Sequence, residues 1–236
     1  MQHHTPPDTF SSRRELIFLI LSGFFITNAV LAEVVGGKLI NIGPFITTAG
    51  VLPWPVVFLT TDLINEYFGR SGVRRLSFIV SGLIIFAFSL VFILMQFPAA
   101  SISPVTDEAF NMVFGQSLWI VTGSITAFLI SQLLDVSVFW YLRQKTGGKH
   151  LWARATGSTV VSQLVDTFIV LGIAFWLPGK ITTPEYINLS LTNYSYKLLV
   201  ALALTPAIYL VHAMIDNYLG LKHSKEQIAK AAQESL

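Results

Sequence analysis

An all-α membrane protein with six transmembrane helices is the fold that this sequence predicts, and three observations lead to it. The chain is 53% hydrophobic and only 12% charged, whereas a soluble domain carries about 25% charged residues. Six apolar stretches are long enough to cross roughly 30 Å of hydrocarbon, which takes about 20 helical residues. Basic residues are concentrated in alternate linkers between these stretches.

The predicted spans are the apolar stretches 16–35, 46–67, 76–97, 118–142, 156–177 and 196–218. We expect residues 1–15 and 220–236 to form short tails around one transmembrane domain, 16–219. The first apolar stretch is too long for a signal-peptide core and has no obvious cleavage site, so we expect it to be a retained span.

The distribution of positive charge predicts the topology. Of the 15 lysines and arginines, only Lys38, Lys180 and Lys197 lie outside the N-terminal tail, the second and fourth loops and the C-terminal tail. Because basic loops stay in the cytoplasm, both termini are predicted to be cytoplasmic. The net charge of +2 therefore indicates topology rather than nucleic-acid binding.

Helix-breaking residues interrupt the region between the first two spans. They are Gly36-Gly37, Gly43-Pro44, Gly50 and Pro53-Trp54-Pro55. Irregular backbone at membrane depth is tolerated where it is buried in protein or lines a wet cavity, and such interruptions mark binding sites in transporters. A plain extracellular loop is the alternative, and the sequence leaves both open.

A five-residue pattern occurs twice, as Ser-Gln-Leu-Leu-Asp at 131–135 and as Ser-Gln-Leu-Val-Asp at 162–166. Each copy lies inside an apolar stretch, and a short basic loop separates the two stretches. Two helices joined in this way run antiparallel, so the copies can face each other. Within each copy the serine, glutamine and aspartate share one helix face. We therefore hypothesise that they hold a small polar solute.

Three carboxylates are predicted near the middle of the bilayer. At the helical rise per residue, Asp62 and Asp135 lie roughly 12 Å from the nearest basic boundary, and Asp166 roughly 18 Å. An ionisable residue at that depth generally faces the bundle interior and indicates function. Pairing with a buried hydroxyl is the structural alternative.

Two further polar residues have open alternatives. Glu66 shares a helix face with Asp62 and either belongs to the site or forms a salt bridge with Arg70 and its basic neighbours at the mouth. Asn28, deep in the first span, either contacts a ligand or makes an interhelical hydrogen bond.

Polar residues closer to the span ends favour structural interpretations. Glu33 is expected to extend toward the interface, and so is Lys197 unless an acid of the site reaches it. His212 and Asp216, four residues apart, form either a structural pair or a proton relay.

Several chemistries are absent from the sequence. There is no cysteine, which excludes thiol catalysis, and the nucleotide-binding and metalloprotease motifs are missing. Carboxylate and carboxamide groups complement a guanine-like edge, because a carboxylate accepts from adjacent N–H and NH₂ groups while an amide donates to a carbonyl.

Several groups of residues, in their order and spacing, carry a resemblance to a known family. They are Thr61-Asp62-Leu63 with Tyr67-Phe68-Gly69 and Arg74-Arg75; Gln132 to Val136 with Val138-Phe139 and Leu142-Arg143; Ser158-Thr159 with Asp166-Thr167; and Tyr194, Lys197 and Pro206. With these residues the chain resembles the queuosine precursor transporters, within the vitamin uptake transporter group.

The resemblance implies a bacterial inner-membrane importer of 7-cyano-7-deazaguanine or its aminomethyl relative, which feed queuosine salvage in tRNA. Asp62, Gln132, Asp135, Asp166 and Lys197 match polar positions of the family. The family tolerates other residues at Glu66 and Gln163. It often has a lysine closely after the asparagine of its first span, whereas Lys38 follows Asn28 at a distance.

From sequence we therefore expect a deazaguanine importer in the lipid bilayer that uses no cofactor and binds no nucleic acid; the sequence leaves open whether it forms a homo-oligomer. The expected substrate-binding residues are Asn28, Asp62, Glu66, Gln132, Asp135, Gln163, Asp166 and Lys197. A substrate-binding subunit of an energy-coupling complex is the alternative, although the spacing of Ala29 and Ala32 differs from the docking motif of such subunits. An intramembrane enzyme is a further alternative.

Overall fold

The computed structural model describes residues 9–36, 38–43, 45–115, 118–147 and 150–233. Its helices are α1 (Thr9–Val34), α2 (Trp54–Leu94), α3 (Asp107–Phe114), α4 (Leu118–Thr146), α5 (Leu151–Leu171), α6 (Thr183–Leu219) and α7 (Leu221–Gln233). Strands β1 (Leu39–Ile42) and β2 (Phe45–Thr48) precede a 3₁₀ turn (Ala49–Val51), and a π-helical turn (Gly172–Trp176) extends α5. Gly37, Pro44, Lys149 and most of the N-terminal tail lie outside the described residues.

The longest helix, α2, consists of two arms, 54–68 and 70–94, that meet at Gly69. Gly69 has φ 76° and ψ 178°, a conformation that glycine adopts without steric cost. A β-carbon added to Gly72 would lie 3.8 Å from Cγ2 of Ile64, although eight residues of continuous helix span about 12 Å. The chain therefore reverses at Gly69.

This reversal accounts for two of the predicted spans. Among the described residues, five helices are long and apolar enough to cross a membrane, and the two arms of α2 allow it to cross twice. The prediction of an all-α, six-span membrane protein is confirmed. The expected loop around Arg70, Arg74 and Arg75 is wrong, because the helix resumes directly after the glycine. The cytoplasmic location of the termini stays a prediction.

The segment between α1 and α2 is a β-hairpin followed by irregular backbone. Strands β1 and β2 pair antiparallel, with Leu39 opposite Thr48. The prediction that a span begins at residue 46 is wrong, because that residue lies in a strand and α2 begins at Trp54. Pro55 lies in the first turn of α2, where its missing N–H costs no hydrogen bond.

The 3₁₀ turn after the hairpin packs against the end of α1. Gly50 is buried, and a β-carbon added there would lie 2.4 Å from the carbonyl oxygen of Ala32. Gly50 and Val51 also line a cavity of the described bundle. Of the two interpretations of this glycine- and proline-rich segment, the structure favours backbone that lines a cavity.

We expect Gly50→Ala to destabilise the protein by about 1–3 kcal/mol, because the new methyl group overlaps the Ala32 carbonyl and the packed turn must shift. Thermal unfolding in detergent would measure the loss. Gly82→Ala is the matched control, since a β-carbon there meets nothing within 4 Å. Equal unfolding temperatures for the two variants would contradict the prediction.

The arginine-rich end of the bundle is covered by α7. The side-chain amide Nε2 of Gln227 donates to the backbone oxygen of Tyr67 at 2.9 Å. Nη2 of Arg143 donates to the backbone oxygen of Ile228 at 3.0 Å. The charged C-terminal segment therefore packs on α2 and α4 and closes this end.

His212 and Asp216 belong to the same closed end. Nδ1 of His212 lies 3.1 Å from Oδ2 of Asp216. The hydroxyl of Tyr67 donates to Oδ1 of Asp216 at 2.7 Å, and the hydroxyl of Ser224 donates to the same atom. This network joins α2, α6 and α7, which favours the structural interpretation over a proton relay.

Candidate functional site

The two copies of the repeated pattern face each other across α4 and α5. The hydroxyl of Ser131 donates to Oδ1 of Asp166 at 3.2 Å. In the opposite sense, the hydroxyl of Ser162 donates to Oδ1 of Asp135 at 3.0 Å. Each serine thus reaches the aspartate of the other copy, as the antiparallel arrangement predicts.

A cavity of about 300 Å³ lies beside this crossing, at the end of the bundle opposite the arginines. Its volume is at the lower end of the roughly 300–1,000 Å³ typical of small-molecule sites. Helices α1, α4, α5 and α6 and the 3₁₀ turn form its walls. Its polar lining consists of Glu33, Thr48, Ser124, Asp166, Thr167, Asn193 and Lys197.

Lys197 enters the cavity rather than extending to the interface. Its Nζ lies 2.6 Å from Oδ2 of Asp166, and both side chains are largely buried. The condition stated from sequence, that an acid of the site reaches Lys197, is met. The pair places a positive and a negative group side by side on the cavity wall.

Glu33 is a cavity residue that the sequence did not assign to the site. Its side chain is 7% exposed, and the hydroxyl of Ser124 on α4 donates to its Oε2. The expectation that Glu33 extends toward the interface is wrong, because the 3₁₀ turn packs against the end of α1 and encloses a cavity that Glu33 lines. The available signal was an acid near the end of a span, directly before the glycines of the irregular segment.

A second polar layer lies one helical turn further from the cavity along α4. The side-chain amide of Gln132 donates to the hydroxyl of Thr61 at 3.2 Å. Asp62 is 3% exposed and lines a small void together with Thr159 of α5. Asp135 follows Ser131 of the cavity layer by four residues, roughly 6 Å along the helix.

Glu66 lies at the arginine-rich end. Arg154 contacts it twice, with Nη2 to Oε1 at 2.7 Å and Nε to Oε2 at 3.1 Å. Nη1 of Arg143 adds a contact to Oε2 at 3.3 Å. The salt bridge considered from sequence exists, but with arginines of α4 and α5 instead of Arg70 and its neighbours. These groups form a buried ion triad.

The two other predicted site residues, Asn28 and Gln163, do not line the cavity. Nδ2 of Asn28 donates to the backbone oxygen of Phe24 at 2.9 Å, within its own helix. The side chain of Gln163 is 5% exposed on α5. Their roles in binding stay predictions.

The three layers form a polar column through the bundle. Asp166 and Lys197 line the cavity, Asp62 and Asp135 lie in the next layer, and Glu66 lies in the ion triad. Because the cavity presents carboxylates and an ammonium group, it can accept from N–H groups and donate to a carbonyl. The rings of Trp54 and Phe175 also line the cavity.

The sequence profile described as putative vitamin uptake transporter matches residues 48–211. The "Probable queuosine precursor transporter" of Bacillus subtilis is 31% identical over 76% of this chain and 78% of its own length. The "Queuosine precursor transporter" of Escherichia coli is 30% identical over 72% of this chain and 74% of its own. The corresponding Haemophilus influenzae protein is 29% identical over 70% of this chain and 68% of its own.

No solved structure gives a significant match to the chain. The family match and the bundle of apolar helices identify a multi-pass protein of the bacterial inner membrane. The resemblance seen in the sequence motifs is confirmed, and the chain belongs to the putative vitamin uptake transporter family, with relatives that are named queuosine precursor transporters.

Proposed function

We propose that this protein imports queuosine precursors of the 7-deazaguanine type across the bacterial inner membrane. The observation that carries the proposal is a cavity lined by two carboxylates and one ammonium group, in a chain whose relatives are named for that cargo. A deazaguanine is a planar molecule with adjacent N–H donors and a carbonyl acceptor. The proposed reaction is transport, with no covalent change in the cargo.

The cavity complements such a base by shape and by hydrogen bonding. Carboxylates accept from the N–H edge, and Lys197 donates to the carbonyl. A ring of Trp54 or Phe175 would contact the planar face, since offset stacking of aromatic surfaces is favourable. Apolar atoms of the remaining lining exclude water around these contacts.

The proposed orientation places the cavity toward the outside. The closed end carries Arg143 and Arg154, and the positive-inside rule assigns such an end to the cytoplasm. An importer in this state takes its cargo from outside while the ion triad and α7 close the inner end. Both termini are then cytoplasmic.

The polar layer around Asp62 and Asp135 is the proposed route inward. Its carboxylates and the Gln132 amide offer the same kinds of hydrogen bond as the cavity. A base that leaves the cavity meets this layer when the closed end opens. Opening the closed end after the cavity has loaded would give alternating access, in which the bound base is exposed to each side of the membrane in turn.

Uptake by this chain alone tests the proposal. The protein would be expressed in a host that neither makes queuosine precursors nor has its own importer. The cells would be grown with a low external concentration of 7-cyano-7-deazaguanine, and the queuosine content of their tRNA would be measured. We expect queuosine to return. Its absence, with the protein present in the membrane, would contradict the proposal, and co-purification of an ATPase would then favour an energy-coupling complex.

We expect Asp135→Asn to abolish uptake while the protein still reaches the membrane. The amide keeps the size of the side chain but removes the charge that accepts from Ser162 and from the cargo. Queuosine in tRNA and membrane abundance are the two measurements. Asp107→Asn on the exposed helix α3 is the control. Normal uptake by the Asp135→Asn variant would show that Asp135 does not bind the cargo on its way inward.

A further inference from the structure

We propose that Asn65 is a cargo-binding residue in the inner half of the route, where its side-chain amide pairs with the carbonyl and the adjacent N–H of the base. This inference rests on the proposed function and deepens it, because it concerns the passage from the cavity to the cytoplasm. The observations that carry it are the complete burial of Asn65, the unpaired state of its amide and its position between two polar layers.

Asn65 lies in the first arm of α2 and is 0% exposed. Neither Nδ2 nor Oδ1 of its side chain has a hydrogen-bond partner within the part of the chain that the structure describes. A buried amide that is left unpaired destabilises a fold, whereas an apolar side chain of similar shape does not carry this cost. The stability of the closed bundle therefore does not explain the asparagine.

The neighbours of Asn65 along α2 show which way its side chain points. Thr61, four residues earlier, accepts from the side-chain amide of Gln132 of α4 at 3.2 Å. Glu66, the next residue, receives Nη1 of Arg143 of α4 at 3.3 Å. Because Asn65 lies between these two positions around the helix axis, its side chain faces α4. Both neighbours are paired across this interface, and Asn65 is not.

This position falls on the polar column. Asp62 of the second layer is three residues before Asn65, on the same helix face and roughly 4.5 Å further from the closed end. Glu66 follows Asn65 directly and is held in the ion triad. A base that moves inward from the layer of Asp62 therefore reaches Asn65 before it reaches the triad.

A side-chain amide suits one edge of the base. It offers an acceptor on Oδ1 and two donors on Nδ2, and a deazaguanine carries a carbonyl directly beside an N–H. The two groups can form a pair of hydrogen bonds, from Nδ2 to the carbonyl and from the N–H to Oδ1. The 2-amino group of the base then remains for a carboxylate, and Asp62 shares the helix face of Asn65.

The contact belongs to a later state of the transport cycle. In the closed state, the void that Asp62 lines measures about 10 Å³, which is roughly the space of one water molecule. A base reaches Asn65 only after the arginines of the triad have separated from Glu66. Its binding to the amide then stabilises the open, loaded state relative to the closed one.

The test compares binding of 7-cyano-7-deazaguanine to purified protein in lipid nanodiscs in two backgrounds. One is the natural protein, and the other is Arg154→Ala, which removes the two-point contact to Glu66 and is expected to open the inner end. Asn65→Leu replaces the amide with apolar groups of similar shape. We expect it to weaken binding about tenfold in the Arg154→Ala background, as for the loss of two hydrogen bonds, and by less than about twofold in the natural background.

Uptake and stability provide the second readout. The initial uptake rate of Asn65→Leu, normalised to membrane abundance, should fall by about tenfold, because the loaded open state loses the same two hydrogen bonds. Its unfolding temperature should equal or exceed that of the natural protein, since the unpaired buried amide is gone. A residue with only a structural role would show the opposite change in stability.

Two further variants separate cargo binding from structural damage. Asn65→Ala removes the amide without adding volume, and it should weaken binding in the same background as Asn65→Leu. Ser190→Ala on α6 removes another fully buried polar group that has no partner among the described residues. We expect Ser190→Ala to change neither binding nor uptake.

Each contrary outcome has a definite meaning. Unchanged affinity in the Arg154→Ala background would overturn the inference, and slower uptake without a change in affinity would show that Asn65 assists opening without contacting the cargo. An equal loss of affinity in both backgrounds would also overturn it, because Asn65 would then act on the outer cavity or on the fold. Normal uptake by both Asn65 variants would overturn the inference but leave the proposed import intact. A natural protein that neither binds nor imports any deazaguanine would overturn both.

Discussion

Lys197→Met is expected to reduce uptake of 7-cyano-7-deazaguanine by at least about 100-fold. The substitution keeps most of the side-chain length but leaves the Asp166 carboxylate buried without its counter-charge. Removing one partner of a buried ion pair costs about 3–5 kcal/mol. It also removes the donor that we assign to the carbonyl of the cargo.

The double variant Lys197→Met with Asp166→Leu separates the two effects. Replacing a buried pair with apolar side chains of similar volume is often neutral for stability. We therefore expect the double variant to recover the unfolding temperature lost in Lys197→Met but not the uptake. The exposed residue Lys222 at the start of α7 provides a matched control, Lys222→Met.

Uptake near the natural level in Lys197→Met would contradict the assignment of the ion pair to the cargo site. Full recovery of uptake in the double variant would likewise show that Lys197 only neutralises Asp166. Initial rates of labelled base uptake, normalised to membrane abundance, distinguish these results from a loss of folded protein.

The sequence was sufficient for the features that depend on helical periodicity. The repeated pattern predicts that Ser131 and Ser162 face the opposite aspartates, and both hydrogen bonds are present. This prediction succeeds because positions four residues apart share a helix face and a short linker forces an antiparallel pair. The number of spans follows from length and hydropathy for the same local reasons.

Features that depend on tertiary packing could not be predicted from helical periodicity in the sequence. Glu33 was expected near the interface because depth was estimated from its position in the first span alone. Its burial depends on the 3₁₀ turn that packs against the end of α1 and on Ser124, which is distant in sequence. The ion partners of Glu66 were also predicted incorrectly, because Arg143 and Arg154 approach Glu66 only after α4 and α5 pack against α2.

The reversal at Gly69 is an intermediate case. The glycine was visible in sequence, but the neighbouring arginines suggested a loop. A single residue with positive φ is enough to join two helical arms, so no loop is needed. The exposed positions of Arg74 and Arg75 are compatible with helix at the membrane surface.

The ion triad at the closed end leads to the second prediction. Arg154→Ala is expected to open that end, because Glu66 loses its two-point contact and keeps only the longer contact to Arg143. At about 3 kcal/mol for a broken buried pair, the ratio of closed to open states would fall by about 100-fold. Net import should also fall, since the cavity would then face the wrong side for much of the time.

The absence of cysteine from the chain makes the opening measurable, because any introduced thiol is the only one. Thr159→Cys provides a reporter on α5, at a side chain that is 4% exposed and lies roughly 8 Å beyond Arg154 along the helix. A membrane-impermeant maleimide would be applied to inverted vesicles, where the cytoplasmic face points outward. In the Arg154→Ala background we expect labelling to be at least tenfold faster.

Arg74→Ala is the matched control. Arg74 is exposed at the same end, and its substitution removes the same charge without affecting a contact to Glu66.

Added 7-cyano-7-deazaguanine should change the labelling rate of the Thr159→Cys protein that keeps both arginines, since a cargo that is carried inward must shift the balance between closed and open states. Slow labelling in both arginine variants would show that the triad is not the barrier. Fast labelling from right-side-out vesicles instead would place the arginine-rich end outside, and would reverse the proposed direction from which the cavity loads.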